Sequence, residues 1–177
     1  MPIHLDDLDV VSQVAGMNSF LNIPCNLCPA VTVAVREKQP FLNLLRSIIN
    51  SAPFEDYIKR MQLRLEESGV KTKVFKSILY HKWFMCMWTS GQRRKLHKYL
   101  ERYEAAIVLG CDTATETVIK EAKSTNCKII EGMEVTGLMN DKLSLHLPAK
   151  LCFDDCTIIP FTQPSRNQEL LVRESTL

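Results

Sequence analysis

The sequence predicts one α/β domain, and three observations support this fold class. Short apolar segments typical of buried strands alternate along the chain with longer amphipathic segments typical of helices. Their order is strand, helices, strand, helix, strand, helix, strand, which favours parallel strands joined by right-handed crossovers. The 177 residues are 46% hydrophobic and 24% charged, which suits one globular domain with its own core. We therefore expect a Rossmann-like or flavodoxin-like three-layer domain with a mostly parallel sheet over residues 1–160, and a polar tail over residues 161–177.

The first elements are predicted from helix boundary signals and apolar runs. Residues 4–15 predict a short helix, with two aspartates in its first turn and Gly16 just past its end. Residues 19–24 (SFLNIP) predict a short strand, and this strand leads directly into the first cysteine.

Three helices are predicted between the first and the second strand. Residues 29–37 combine Pro29, which suits the first turn of a helix, with alternating valines typical of a strand, and we favour the helix. Residues 41–50 and 54–68 each place apolar side chains on one helical face, and Gly69 follows the second of them.

The middle of the chain predicts two strands around one helix. Residues 70–76 alternate in the manner of a strand, and residues 92–103 return to the periodicity of a helix. Residues 105–109 (AAIVL) are short, continuous and apolar, which indicates a strand that is buried on both faces.

The last third of the chain predicts a helix, a strand and a hairpin. Thr113 and Glu116 have the spacing of a capping box for a helix over residues 114–124. Residues 128–131 (KIIE) predict the next strand. Residues 143–159 contain two strand-like segments around a turn, which predicts an antiparallel C-terminal addition to the sheet.

Charge and hydropathy argue against several function classes. The net charge of +2 does not indicate binding to nucleic acid. No apolar run approaches the roughly 20 residues that span a bilayer, so we expect no membrane insertion. Residues 1–11 are acidic and lack the basic and apolar regions of a signal peptide, which predicts a cytoplasmic protein.

The distribution of the seven cysteines is the main functional signal. A disulfide framework is not expected in the cytoplasm, so paired cysteines there favour metal binding or catalysis. Four of them follow a predicted strand or lie in the loop after it: Cys25, Cys28, Cys86 and Cys111. Because the carboxyl ends of parallel strands meet at one edge of a sheet, we expect these thiols to form one cluster.

Each member of this set has its own support. Cys25 and Cys28 form a Cys-x-x-Cys unit, in which both sulfurs can reach one tetrahedral centre. A helix that begins beside them would point its N–H groups at the sulfurs and lower their pKa values. Cys111 directly follows the most apolar predicted strand. Cys86 lies in an apolar stretch that would exclude water from a cluster, and His81 is the alternative ligand in this segment.

The other three cysteines are predicted to be structural. Cys127 precedes an apolar strand and fits a buried thiol. Cys152 and Cys156 lie four residues apart on a predicted strand, so their side chains share a face but stand about 13 Å apart. Such a pair can chelate one ion only if the strand bends or bulges.

A second candidate site follows the strand at residues 105–109. Gly110 would let the backbone approach a ligand closely, and the N–H groups of the next helix would bind a phosphate. We therefore predict Gly110, Asp112 and Thr113 as cofactor-binding residues, with helix initiation as the alternative role of the last two. The sequence has neither a dinucleotide-binding fingerprint nor a Walker lysine.

Basic residues are concentrated on the helix predicted at residues 92–103, as Arg93, Arg94, Lys95, Lys98 and Arg102. Such a stripe could contact an acidic partner or nucleic acid. Because the net charge is nearly balanced, we favour a solvated helix face.

These features predict a metal-binding protein. The thiol set favours a redox iron–sulfur cluster, with zinc as the alternative, in a protein that transfers electrons or serves as an accessory subunit of a redox enzyme. We expect a protein partner in a redox complex, and a homo-oligomer is left open. The alternatives are a thiol–disulfide redox protein in which Cys25 attacks and Cys28 resolves, and a non-catalytic interaction module. Hydrolase, kinase and calcium-loop motifs are absent, so the sequence does not decide whether the protein is an enzyme.

Overall fold

The computed structural model describes residues 2–14, 16–44, 51–67, 69–76 and 85–161, which form two four-stranded sheets. The strands are β1 (Ile3–Asp7), β2 (Ser19–Pro24), β3 (Leu42–Asn43), β4 (Lys71–Val74), β5 (Ala105–Leu109), β6 (Lys128–Glu131), β7 (Met133–His146) and β8 (Lys150–Pro160). The helices are α1 (Val10–Gln13), α2 (Cys28–Arg36), α3 (Ala52–Glu67), α4 (Ser90–Leu100) and α5 (Asp112–Ala122), with a 3-10 turn at Met85–Met87.

One sheet is parallel and has the strand order β4-β2-β5-β6. The predicted strands at residues 19–24, 105–109 and 128–131 are confirmed, and the strand predicted at residues 70–76 is present as β4. All five side chains of β5 are buried, because a central parallel strand is covered on both faces. The predictions of α2, α3, α4 and α5 are confirmed within a few residues at each end.

Helices cover both faces of the parallel sheet. Helices α2 and α3 share one core cluster with Phe20 and Ile107, whereas α4 and α5 share another with Leu21 and Val108. The connection from β2 to β4 therefore runs over one face, and the connections that enter and leave β5 run over the other. The connections diverge between β2 and β5, and we refer to the edge outside the carboxyl ends of these two strands, where open α/β sheets bind their ligands, as the crevice.

The antiparallel strands form a sheet of their own, with the order β1-β7-β8-β3. Its buried residues Leu5, Met133 and Met139 belong to the same core cluster as Val31 of α2. The expectation of an antiparallel addition to the parallel sheet was wrong, because α2 packs between the two sheets and keeps them apart. The structure thus confirms a mixed α/β fold, but with two sheets in place of the single sheet expected.

The N-terminal segment also differs from the prediction. Residues 4–15 contain β1 and the short α1, because β1 finds a distant partner in β7 and pairs Ile3 with Leu138. Asp9 begins α1, and its side chain accepts the N–H groups of Val11 and Ser12. Part of the helix predicted at residues 41–50 is β3, and the remainder lies outside the described residues, as do residues 162–177 of the predicted tail. Among the residues described, none of the helices is long and apolar enough to cross a bilayer.

Candidate metal centre

Cys25 lies at the crevice between β2 and β5. Its backbone N–H donates to the carbonyl of Leu109 at 2.9 Å, which continues the pairing of the two strands by one residue. A Cβ atom on Gly110 would stand 3.5 Å from the Cβ of Cys25 and 2.6 Å from the Cβ of Ala114. A glycine is therefore required here because the first turn of α5 and Cys25 pack closely around the end of β5.

Cys28 is the first residue of α2, and Pro29 follows it in the first turn. The helix that the sequence analysis favoured over a strand is thus confirmed, and its N-terminus lies beside the thiols. The backbone N–H of Leu27 donates to the sulfur of Cys25, and that of Ile3 donates to the sulfur of Cys28. Both donors favour the charged thiolate, which a metal ion requires.

Cys111 is the N-cap residue of α5, and no side-chain hydrogen bond caps this helix. Its carbonyl accepts the N–H groups of Ala114 at 2.8 Å and Thr115 at 3.0 Å. The capping box predicted from Thr113 and Glu116 is therefore wrong, because the helix begins two residues earlier than expected. The half-buried Cys111 packs against the core clusters of both sheet faces, so it lies at the rim of the sheet.

Cys86 approaches the same edge from the 3-10 turn and is exposed. The N–H of its neighbour Met85 donates to the sulfur of Cys25, which ties this turn to the end of β2. Met85 is fully buried and Trp88 is nearly so, and both belong to the core cluster that contains Cys25. The alternative ligand His81 lies outside the described residues.

The electrostatics of the metal-free site favour protonated thiols. Burial is the largest cause of a rise in the pKa of Cys25 to about 12, and the charges of Cys28 and Cys111 contribute to the same rise. Burial also raises the pKa of Cys28, with Cys111 and Cys86 acting in the same direction. Repulsion among these four groups is expected when thiolates lie near one edge of a sheet. Within the described ranges, however, no three Cys, His, Asp or Glu side chains are already arranged to hold a metal ion.

The other cysteines lie away from this edge. Cys127 precedes β6 and is therefore at the amino end of the parallel sheet. Cys152 and Cys156 lie on β8, where a register shift and a positive φ of 53° at Asp155 form a bulge. Because this bulge interrupts the alternation, the expectation of a regular shared face was wrong. The pKa of Cys156 is raised to about 11 by burial and by the nearby Asp141.

The residues predicted for cofactor binding lie around the start of α5. Gly110 is buried, whereas Asp112 and Thr113 are exposed in the first turn. The unpaired N–H groups of this turn could attract an anion, but the carboxylate of Asp112 already supplies a negative charge there. Phosphate binding by these residues stays a prediction.

Sequence reasoning did not identify a cleft beside the Cys25 loop. It encloses about 260 Å³, and its lining includes Pro24, Asn26, Ile58, Phe75 and Trp88. Its residues come from β2, α3 and the segments after β4 and before α4, which no local pattern brings together. The completely buried Asn22 of β2 was also missed, and its amide group has no hydrogen-bond partner among the residues described.

The chemistry available at this edge is therefore that of thiols in an apolar surrounding. Soft thiolate sulfurs select zinc, copper(I) or iron–sulfur clusters over hard cations. Comparisons with protein families, curated proteins and solved structures found no match to this chain.

Proposed function

We propose that this protein binds an iron–sulfur cluster through Cys25, Cys28, Cys86 and Cys111, and that it transfers electrons alone or as an accessory subunit of a redox enzyme. The observation that supports the proposal is that three cysteine-bearing segments lie at the same end of the parallel sheet, although the described thiols are not yet arranged around a metal ion. The loop after β2 supplies two thiols, the loop after β5 supplies one, and the turn before α4 supplies the fourth.

The strand order supports a flavodoxin-like arrangement for the parallel sheet. Numbered by their appearance in the chain, its strands β2, β4, β5 and β6 stand in the spatial order 2-1-3-4. Flavodoxin-like sheets share this order, and their ligand site lies between the first and third strands. In this chain those strands are β2 and β5, which carry Cys25 and Cys111 at their carboxyl ends.

Loading the site requires a change from the metal-free arrangement. The thiols must lose protons, and a metal charge compensates the repulsion that raises the pKa values of Cys25 and Cys28. The side chain of Cys86 is exposed and would have to rotate toward the ion, whereas Cys25 is held by β2 and by the Met85 N–H. Four sulfur ligands and the buried Met85 and Trp88 suit a cluster, and zinc is the alternative occupant.

The test is metal analysis of protein purified without air. We expect iron and acid-labile sulfide in equal, stoichiometric amounts, with sulfur-to-iron charge-transfer absorption in the visible range. Single serine replacements of Cys25, Cys28 and Cys111 should each abolish this absorption. A Cys86→Ser variant without a cluster, together with a His81→Ala variant that retains it, would assign the fourth ligand.

Cys152→Ser and Cys127→Ser are the matched controls, because each removes one thiol away from the crevice. Both should retain iron and sulfide in wild-type amounts, and circular dichroism should confirm that every variant is folded. Purified protein that contains zinc but no acid-labile sulfide would show that the site binds the alternative metal instead of a cluster. Folded protein that takes up neither iron nor zinc under reconstitution would refute the proposal. A non-catalytic interaction module would then be the remaining hypothesis.

The thiol–disulfide alternative is disfavoured by the burial of Cys25. An attacking thiol needs access and a pKa near the ambient pH, but Cys25 is 6% exposed with its pKa raised to about 12. Iodoacetamide at neutral pH should therefore modify Cys86 well before Cys25 in the metal-free protein. Fast modification of Cys25 would restore this alternative.

A further inference from the structure

We propose that a basic face beside the thiol site docks an acidic one-electron carrier protein, an inference that rests on the proposed function. The basic face consists of exposed or half-exposed cations of α4, of β4 and of the short segments that follow each of them: Lys71, Lys73, Lys76, Arg94, Lys95, Lys98 and Arg102. These are seven of the 22 lysines and arginines in a chain whose net charge is only +2. The fold therefore brings together two basic segments that lie apart in the sequence.

Helix α4 and its C-terminal extension contribute four of these cations on one side. At 3.6 residues per turn, Arg94, Lys98 and Arg102 form one row, and Lys95 lies within about 100° of all three. The buried Leu96 and Leu100 lie on the opposite side of the helix. Glu101 borders the row and is paired with His97 rather than with a cation of the face.

The edge strand β4 extends this side of α4. Residues 71, 73 and 75 share one face of the strand, and Phe75 packs edge-on against Tyr99 of α4 with the ring centroids 5.2 Å apart. The Nζ of Lys95 reaches across to donate to the carbonyl of Lys76 at 3.2 Å. The lysines of β4 and the cations of α4 thus form one continuous surface.

The basic face adjoins the candidate metal centre. The carboxyl end of β4 lies at the same sheet edge as the end of β2, and Phe75 also contacts the ring of Trp88. Met87 precedes Trp88, follows Cys86 and is 75% exposed. An exposed apolar side chain beside a stripe of charge is typical of a transient protein interface, in which an apolar centre adjoins a polar rim.

A protein fits this surface better than a nucleic acid does. Binding of single strands relies on exposed aromatic rings that stack on bases. Here Phe75 and Trp88 are buried, Lys95 lies over the Phe75 ring, and Arg102 covers the Tyr99 ring. The remaining attraction is electrostatic, and it would steer an acidic carrier protein toward the basic face. One electron would then pass from the reduced centre of the carrier to the oxidised cluster, with no bond made or broken.

The experiment uses a plant-type [2Fe–2S] ferredoxin as the acidic probe. Its affinity for the full-length, cluster-loaded protein is measured at about 50 mM and about 300 mM salt, together with the rate of cluster reduction by the reduced probe. We expect binding at low salt that weakens at high salt. The Arg94→Glu/Lys98→Glu variant should bind at least about tenfold more weakly.

Lys142→Glu/Lys150→Glu is the matched control, because it makes the same change in net charge on the exposed hairpin of the antiparallel sheet. Its affinity for the probe should stay within about twofold of wild type. Equal effects of the two double variants would show that net charge alone matters and would overturn the proposal. Tighter binding of a single-stranded oligonucleotide than of ferredoxin would overturn it as well.

Failure of docking can be distinguished from failure of the metal centre. Docking depends on surface charge, so the cluster-free Cys25→Ser protein should bind the probe as wild type does, without electron transfer. Wild-type protein that binds the probe but holds no cluster would refute the metal centre alone. A loaded cluster without salt-dependent binding would refute the docking face alone.

Discussion

At the crevice, the packing around Cys25 determines the protonation state of its thiol. Cys25 is held by β2, by the close approach of Gly110 and by N–H groups of Leu27 and Met85. These contacts bury the thiol and keep it protonated, because desolvation opposes the thiolate more strongly than the donors favour it. This geometry makes Cys25 a poor nucleophile.

Metal-free protein should lose stability at alkaline pH through Cys25. Its folded pKa of about 12 lies above the unfolded value of about 8.5, so folding binds the proton more tightly. The stabilisation is fully present below the unfolded pKa and is lost as pH rises toward the folded pKa. By about pH 10.5 Cys25 should account for a loss of about 3 kcal/mol in wild type that Cys25→Ala lacks, as measured by the difference between the two proteins in urea unfolding.

Wild type must be compared with Cys25→Ala because other buried thiols also lose their protons in this alkaline pH range. Burial raises the pKa values of Cys127 and Cys156 to about 11, and both are present in either protein. Equal losses of unfolding free energy in wild type and Cys25→Ala would contradict the burial of Cys25.

Gly110→Ala should lower the free energy of unfolding by about 1–3 kcal/mol. The new methyl group would stand 2.6 Å from the Cβ of Ala114, which sits on the rigid first turn of α5. The second substitution Ala114→Gly should recover part of the loss despite its own helix cost of about 1 kcal/mol.

Gly91→Ala provides the control, because the nearest atom to its new methyl group is the Oγ1 of Thr89 at 4.0 Å. Urea unfolding should find this variant as stable as wild type or slightly more stable. A Gly110→Ala protein with wild-type stability would show that α5 can move freely from the end of β5.

At the scale of elements, helix termini organise the candidate site. Two helices begin at cysteines, with Cys28 as the first residue of α2 and Cys111 as the N-cap of α5. Neither helix has a side-chain hydrogen bond at its cap. The partial positive charge at the start of α2 is therefore directed toward Cys28, where it favours a thiolate, whereas the carboxylate of Asp112 offsets the charge at the start of α5.

Replacement of Cys111 tests this arrangement of α5. Serine is a good N-cap residue and alanine is not, so metal-free Cys111→Ser should be about 1 kcal/mol more stable than Cys111→Ala. Urea unfolding of the two variants measures this difference in the free energy of unfolding. Because both variants lack the sulfur atom, the packing lost with it is the same in each and does not affect the difference. Equal stabilities would contradict the assignment of Cys111 as the N-cap.

At the scale of the whole molecule, α2 and α3 join the two sheets. The hydroxyl of Tyr57 on α3 donates to Asp7 of β1 at 3.0 Å, and Arg36 of α2 forms an ion pair with the same carboxylate at 3.0 Å. Tyr57 is buried beneath this contact. One acidic side chain thus links the antiparallel sheet to both helices of the middle layer.

Tyr57→Phe should lower the free energy of unfolding by about 1–3 kcal/mol, because it removes a hydrogen bond to a charged acceptor. The unfolding should remain a single transition when fluorescence and circular dichroism are compared, since the sheets share one core cluster. Tyr103→Phe is the control, because the hydroxyl of Tyr103 has no hydrogen-bond partner among the described residues. Separate transitions for the two probes would show that the sheets fold independently.

Much of the parallel sheet and its helices could be predicted because their signals are local. An apolar run such as residues 105–109 or a periodic stripe such as residues 54–68 encodes its own element. The selection of Cys25, Cys28 and Cys111 also followed from local order, since a loop after a parallel strand must lie at its carboxyl edge.

What the sequence alone determined was therefore the set of elements and the edge to which their loops belong. Only the tertiary structure decided that β1 pairs with β7, that α2 separates the two sheets, and that β4 and α4 merge their cations into one face. The physical reason is that strand partners, layer order and surface charge depend on contacts between residues far apart in the chain. Such contacts produce no periodic pattern in the sequence of any single segment, so they cannot be predicted from it.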